Sequence, residues 1–370
     1  MTILTDVLDR LTQPGELYEA LPDKALRCTA CGHRCLIRPG KRGICQVRFN
    51  ADGELRVPWG YVAALQADPI EKKPFSHVLP GSTALTFGML GCDFHCGYCQ
   101  NWLTSQVARD PQSDAAINYV REISPLQIAA AARRAQADVI VSSYNEPLIT
   151  SEWAVSVFQE AKAAGLMCAY VSNGNATPEV LEYIRPYISA YKVDLKSMQD
   201  KNYRKLGGVL KNVLTTIQSA HDLGLWVEVV TLVVPGFNDS IEELWEAARF
   251  LRGVSADIPW HVTAFHQDYK MTGPDNTPAK TLLRAAEIGR EAGLNYVYAG
   301  NLPGKVDEYE TTFCPMCRMA LVRRSGYTIS AYALTGQGKC PSCGTQIAGR
   351  WPQDPKSVKL HGIGIPLPVR

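Results

Sequence analysis

Long apolar runs are missing from this sequence. No stretch approaches the roughly 18 apolar residues a membrane-spanning helix needs, so nothing in it reads as a span. Charge of one sign is missing as well: 38 basic residues stand against 36 acidic ones, a formal net charge of +2. That balance gives no electrostatic argument for nucleic acid or an anionic membrane surface. A cationic, apolar leader is also absent, because MTILTDVLDRLTQPGEL brings in Asp and Glu early, unlike a secretory signal. What is there is 370 residues with 46% hydrophobic content. That suffices for a core domain of roughly 200–250 residues plus one or two small modules.

Cysteine is plentiful, and its layout says more than its count. Eleven of the twelve cysteines fall into three clusters: Cys28, Cys31, Cys35 and Cys45; Cys92, Cys96 and Cys99; Cys314, Cys317, Cys340 and Cys343. Cys168 stands alone on an apolar run and reads as core packing. Close C-x2-C pairs without an export signal favour thiolate-bound metal over disulfides, and a cytoplasmic location.

Residues 1–27 read as a short helical lead-in and 28–81 as a compact, turn-rich segment that includes the Pro-rich DPIEKKPFSHVLPG. Its Lys72 and Lys73 read as part of a charged, solvated loop, with guidance of an anionic substrate as the alternative. Seven apolar runs follow at 84–90, 138–143, 166–172, 191–195, 226–234, 260–265 and 295–300. Helix-like segments separate most of them, such as SPLQIAAAARRAQ and SIEELWEAARFLRG, opening on Ser or Thr and often closing on Gly. Alternating strands and helices predict parallel pairing, and six or seven units suit a partial or full β/α barrel. In such barrels chemistry sits at the C-terminal ends of the strands. The boundaries expected are an N-terminal segment 1–81, a barrel 82–305 and a C-terminal module 306–370.

GCDFHCGYCQNW, at 91–102, follows the first barrel strand and carries three cysteines spaced C-x3-C-x2-C. Three thiolates hold three irons of a cubic four-iron cluster and leave the fourth iron open to a small molecule. The other readings are zinc completed by His95 or a distant residue, and simple core cysteines. The pattern C-x3-C-x-aromatic-C, here Cys92, Cys96, Tyr98 and Cys99, resembles the signature of radical S-adenosylmethionine (radical SAM) enzymes. The chain from 82 to 300 is most similar to the pyruvate formate-lyase activating enzymes.

The resemblance implies an α/β fold, a partial (β/α)6-type TIM barrel with small cysteine-rich metal modules at both ends. It implies a [4Fe-4S] cluster on Cys92, Cys96 and Cys99, with S-adenosylmethionine (SAM) on the open iron. SAM contacts carried over by motif are Tyr98; Asn145 and Glu146 of SYNEP; Ser172 and Asn173 of VSNGN; Asp194 and Lys196 of VDLK; Val234 of VVPGFND; and His266 of AFHQDYKM. SYNEP departs from the family's GGE element, since Asn145 and Glu146 replace part of it. No catalytic side chain is implied beyond the cluster. An oxidoreductase of this kind takes its electron from a donor such as flavodoxin or ferredoxin.

The flanks are similar to the radical SAM protein of the AmmeMemoRadiSam system, which implies a Memo-type partner protein. CPMC and CPSC, 22 residues apart, read as a zinc-ribbon-like site of Cys314, Cys317, Cys340 and Cys343, with a second iron–sulfur cluster or a metal-free form as alternatives. The N-terminal four, Cys28, Cys31, Cys35 and Cys45, read as zinc or an auxiliary cluster, with His33 able to replace one thiolate. The leading function is reductive SAM cleavage to a 5′-deoxyadenosyl radical. That radical takes a hydrogen from a protein glycine, as in the activases, or from a small molecule. Modification of RNA or a peptide is the rival within the class. A zinc-bearing nucleic-acid or protein interaction module is the rival outside it.

Overall fold

Runs rich in Val, Ile and Ala, bounded by Gly, Pro and polar turns, fit strands buried on both faces. In the computed structural model, which describes residues 4–362 and 364–369, they form one nine-stranded sheet. Its strands are β1 (Ala64–Pro69), β2 (Thr83–Gly88), β3 (Val139–Ser142), β4 (Met167–Ser172), β5 (Ala190–Asp194), β6 (Trp226–Val233), β7 (Trp260–Ala264), β8 (Val297–Gly300) and β9 (Leu367–Pro368). The spatial order is β8-β7-β6-β5-β4-β3-β2-β1-β9. Strands β2 to β8 are parallel, while β1 and β9 pair antiparallel at one edge. Sequential parallel strands joined by right-handed crossovers keep their helices on one face. Among the described residues no ladder joins β8 to β9, so the sheet is open.

The connecting helices are α1 (Pro125–Arg134), α2 (Ser151–Ala163), α3 (Pro178–Ile184), α4 (Asp200–Leu206), α5 (Leu210–Asp222), α6 (Ile241–Val254) and α7 (Ala279–Glu291). Their starts follow the expected chemistry. Ser124 and Gln127 form a reciprocal capping box on α1, and Thr177 and Ser240 cap α3 and α6. The expected helical lead-in is shorter than 1–27: a helix covers Leu4–Arg10, and short strands at Thr12–Pro14 and Tyr18–Ala20 follow. Among the described residues no helix is long and apolar enough to cross a membrane.

The two faces of the sheet carry different cores. Ile140, Tyr170, Val193 and Val229 face the helices and join Val155, Ile217 and Ala285 in the main core. Residues in register on the other face include Thr86, Ala169, Lys192, Glu228, His261 and Tyr298. That face is filled by residues 70–79. Ile70, Phe75 and Val78 are fully buried against Ala84, Val139, Val141, Ala169 and Ala190. The solvated-loop expectation for DPIEKKP is therefore wrong. Lys73 is 4% exposed and pairs with Asp68 at 2.6 Å, while Lys72 pairs with the same carboxylate at 2.9 Å. The carboxylate is the run's own first residue, at the end of β1, and it is the burial of Ile70, Phe75 and Val78 against the sheet that takes the stretch out of solvent.

The flanks are joined to this core. The strands β1 and β9 come from outside the expected 82–305 limits. Near the N-terminus, Arg48 makes a buried two-bond pair with Glu152 of α2 at 2.7 and 2.8 Å, and both side chains are 1% exposed. Burial pushes the Glu152 carboxyl up, but Arg48's charge and hydrogen bonds outweigh it and hold the group below the ordinary range. Arg48→Met would strand a buried carboxylate, so it is expected to destabilise the protein by about 3–5 kcal/mol in urea denaturation at neutral pH. Because the folded pKa is depressed, this contribution is present above the unfolded carboxyl pKa and fades as pH falls through the folded one.

Candidate functional site

The cysteine loop leaves the C-terminal end of β2 through two glycines that the geometry requires. A Cβ on Gly88 would meet the Ser143 carbonyl at 2.4 Å. Gly91 has φ +98, and a Cβ there would meet Val47 at 2.9 Å. The buried Phe94 packs edge-on to Tyr203, and its carbonyl accepts from Arg109 at 2.8 Å and Gln106 at 3.2 Å. The Phe94 amide donates to Cys92 Sγ at 3.3 Å, and Cys99 Sγ lies 3.1 Å from Ser105 Oγ. Burial pushes all three thiols up, Cys96 to about 12. They become thiolate ligands only when a cation displaces the proton. His95, the expected alternative ligand, is exposed and packs over Gly207.

The neighbouring strand ends are stitched to this loop. After β3, Asn145 Oδ1 accepts from the Met89 amide at 3.1 Å. Glu146 is 2% exposed and accepts from Ser172 Oγ at 2.7 Å and the amides of Asn173 at 2.8 Å and Leu148 at 3.1 Å. Burial, then the charge of Asp93, pushes its carboxyl up to about 8. Tyr144, before it, holds φ +68 and donates to Asp68 at 2.5 Å. After β4, Ser172 also accepts from Tyr191 at 3.1 Å, and Asn173 Nδ2 donates to Asp93 at 2.7 Å.

At the end of β5, Asp194 pairs with Lys192 and, at 3.2 Å, with Lys196. Burial opposes its ionisation, but the two ammonium groups hold its carboxyl at about 2. Tyr98 is buried against Phe237, 5.9 Å between ring centres. Val234 is fully buried after β6, and its amide donates to Asn238 at 2.7 Å. His266, after β7, is exposed with Nε2 2.8 Å from Gln100 Nε2. The residues expected to touch SAM, Tyr98 of the loop apart, thus lie at or just after the C-terminal ends of β3 to β7, the same end of the sheet from which the cysteine loop leaves β2.

Asp93 was passed over in the sequence. It is fully buried and receives Asn173 at 2.7 Å and Asn175 at 2.8 Å, with His33 Nε2 at 3.8 Å. It sits between the loop and the N-terminal cysteines. Of those, Cys28, Cys31 and Cys45 are buried and Cys35 is half-buried. Burial and mutual charge push Cys31, Cys35 and Cys45 up, with Asp93 adding to the first two. The Gly32 amide donates to the Asn175 carbonyl at 2.7 Å, which docks this cysteine turn on the VSNGN loop. The signal for Asp93 was only its position inside C-x3-C.

The four C-terminal cysteines converge. Cys314 and Cys343 sulfurs lie 3.5 Å apart, Cys317 and Cys340 3.6 Å, and all four lie within 4.8 Å of one another. A tetrahedral thiolate ion with bonds near 2.3 Å needs sulfurs about 3.8 Å apart. The set therefore fits a single metal ion. Among the described residues it is the one such group of three or more ligands at that spacing. Cys168 is 1% exposed on β4 and packs in the core.

A model of the radical SAM superfamily matches residues 87–251. An uncharacterized protein of Methanocaldococcus jannaschii is 36% identical over 333 residues, 89% of this chain and 97% of that protein. The isethionate sulfite-lyase activating enzyme of Oleidesulfovibrio alaskensis is 30% identical over 130 residues, 33% of this chain and 41% of that enzyme. A solved domain of pyruvate-formate lyase-activating enzyme from Bacteroides vulgatus is 17% identical with a TM-score of 0.38, covering 44% of this chain and 98% of that domain.

Cys340→Ser is expected to lower bound metal by about one ion per chain while iron reconstituted at the cysteine loop is retained. Elemental analysis of both proteins by plasma mass spectrometry checks this.

Proposed function

The chain belongs to the radical SAM superfamily, and we propose that it is an enzyme that reductively cleaves SAM and directs the resulting 5′-deoxyadenosyl radical at a hydrogen of its substrate. The observation that carries this reading is the single loop of three buried-to-half-buried thiols set among the ends of β2 to β7. A [4Fe-4S] cluster held by Cys92, Cys96 and Cys99 would supply the electron that breaks the sulfonium bond.

The protein's own part is to bind, orient and exclude water. Asn145 ties the strand entering the loop to the end of β3. Glu146 and Asp93 hold the Ser172–Asn173 turn from two sides, which leaves little freedom at the edge where SAM would lie. In that reading Glu146 binds the amino group of SAM, Ser172 and Asn173 its ribose or carboxylate, Asp194 and Lys196 its carboxylate or the target, and Val234 packs beside the adenine, with Tyr98 in the loop itself. His266 stands at the outer rim. Lys196 is half-buried and paired with Asp194, and the charge of a Cys96 thiolate would favour its ammonium form, which suits a fixed positive charge near the electron-transfer step. Zinc is the ion proposed for the C-terminal four, since closed thiolate sets of this kind are structural zinc sites. A flavodoxin or ferredoxin is the proposed reductant. The stretch shared with the isethionate sulfite-lyase activating enzyme favours hydrogen abstraction from a protein glycine over RNA modification.

The test is release of 5′-deoxyadenosine from SAM by anaerobically reconstituted protein with dithionite. Wild type is expected to release it, and Cys96→Ala is expected to fall to the level of buffer alone. Equal release by the variant, or none by wild type, overturns the reading.

A further inference from the structure

The segment that fills the sheet's inner face stops short of its open side. There, between β7, β8 and the C-terminal module, lies a cavity of about 620 Å³. That volume lies within the range of small-ligand sites, roughly 300–1,000 Å³. Gln100, next to Cys99, and His266 stand at its rim, so it opens toward the cysteine loop. Thr263 lines its wall, Glu71 comes from the filling segment, and Arg324 and Tyr327 come from the C-terminal module.

Two atoms there are buried without a hydrogen-bond partner: Glu71 Oε2 and Arg324 Nε. Both side chains are 3% exposed. Every other side-chain polar atom of the two is engaged. Glu71 Oε1 accepts from the Gly81 amide at 2.9 Å. Arg324 donates from Nη1 to Thr312 Oγ1 at 2.7 Å and from Nη2 to the Ser76 carbonyl at 2.6 Å. Arg324 Nε and Glu71 Oε1 form an ion pair at 4.0 Å, too long to be a hydrogen bond. Buried polar groups are rarely left unpaired, and both residues line the cavity, so a small shift of either side chain would bring its free atom to a partner bound there.

The pattern is one free acceptor beside one free donor. The formal charges on the cavity wall cancel, with Glu71 and Glu310 against Lys72 and Arg324. An isolated anion or cation has no excess of opposite charge to meet. A neutral group that presents N–H beside C=O does match. We propose that this cavity is the substrate site and that Glu71 and Arg324 recognise an amide edge, a carboxamide or a peptide group, on the molecule from which hydrogen is taken. The assignment of a substrate rests on the radical SAM reading above, but the recognition chemistry does not. It also gives the C-terminal module a part in the site, through Arg324, that a purely structural metal module lacks.

Saturation-transfer NMR on the full chain without iron or SAM tests this independently of turnover. The probes are acetamide, N-acetylglycine N-methylamide, acetate and ethylammonium at equal concentration. One or both amides are expected to bind and the two ions not to. A preference for acetamide marks a small carboxamide as the source, and one for the glycine derivative marks a peptide. In Glu71→Gln, where an amide N–H can replace the free oxygen, binding is expected to weaken about fivefold to tenfold, the effect of one lost hydrogen bond. Arg324→Lys, which keeps the charge but removes Nε, is expected to do the same, with circular dichroism confirming that both variants fold. Probe selectivity in the wild type decides the matter even if a variant does not fold. Binding of acetate or ethylammonium in preference, binding unchanged in both folded variants, or no amide binding overturns the proposal. Loss of 5′-deoxyadenosine release with amide binding intact would instead count against the SAM-cleavage reading.

Discussion

The carboxylate of Glu228 is the point on which the inner architecture turns. It is fully buried on β6 and accepts from the amides of Ser76 and His77 at 2.9 Å each, from Trp226 Nε1 at 3.0 Å and from His261 Nε2 at 2.6 Å. Burial works against its charge, yet these donors hold the group below the ordinary carboxylate range. A buried anion survives only when its lone pairs are filled. Here two of the donors are backbone amides from a segment 152 and 151 residues away. That demand draws residues 70–79 onto the sheet, where Ile70, Phe75 and Val78 form the core of that face.

His77 carries the constraint outward. Its Nδ1 lies 2.6 Å from the Ala348 carbonyl and its Nε2 2.7 Å from Tyr298 Oη, and its ring packs with Trp226 and Trp351. Burial pushes this imidazole down to about 4, so it is neutral at physiological pH and serves as a packing and hydrogen-bonding piece. The C-terminal cysteine module is thereby seated against the open side of the sheet. Arg324, donating to the Ser76 carbonyl, makes a second contact to the same segment. The cavity beside Thr263 exists because these contacts stop the filling segment at that depth and bring a second wall up to it.

A different anion organises the opposite end. Asp93 binds two asparagines of the VSNGN loop, and through that loop the N-terminal cysteine turn reaches the loop of Cys92, Cys96 and Cys99. Both anions gather chain from far away, and neither was legible as a site. The glycines and aromatic of GCDFHCGYC, the strand-end polar residues and the paired CPMC and CPSC turns were legible, because each is a local spacing that a turn or strand end converts directly into geometry. DPIEKKP misled for the same reason. Its own residues suggest a solvated charge run, with Asp68 beside Lys72 and Lys73 in the same stretch, whereas Tyr144 after β3, which meets Lys73, becomes a neighbour only once the sheet forms.

Local spacing was enough for the period of the strands and helices and for the cysteine pattern of the radical SAM superfamily, and it supplied the strand-end residues expected to touch SAM. These depend on residues within a few positions of one another. Only the tertiary structure decided that the sheet recruits β1 and β9 from the flanks, that a charged segment fills its inner face, and that Glu71 and Arg324 meet with one unpaired atom each. Those outcomes depend on which buried charges find donors across more than a hundred residues, and no local pattern encodes that pairing.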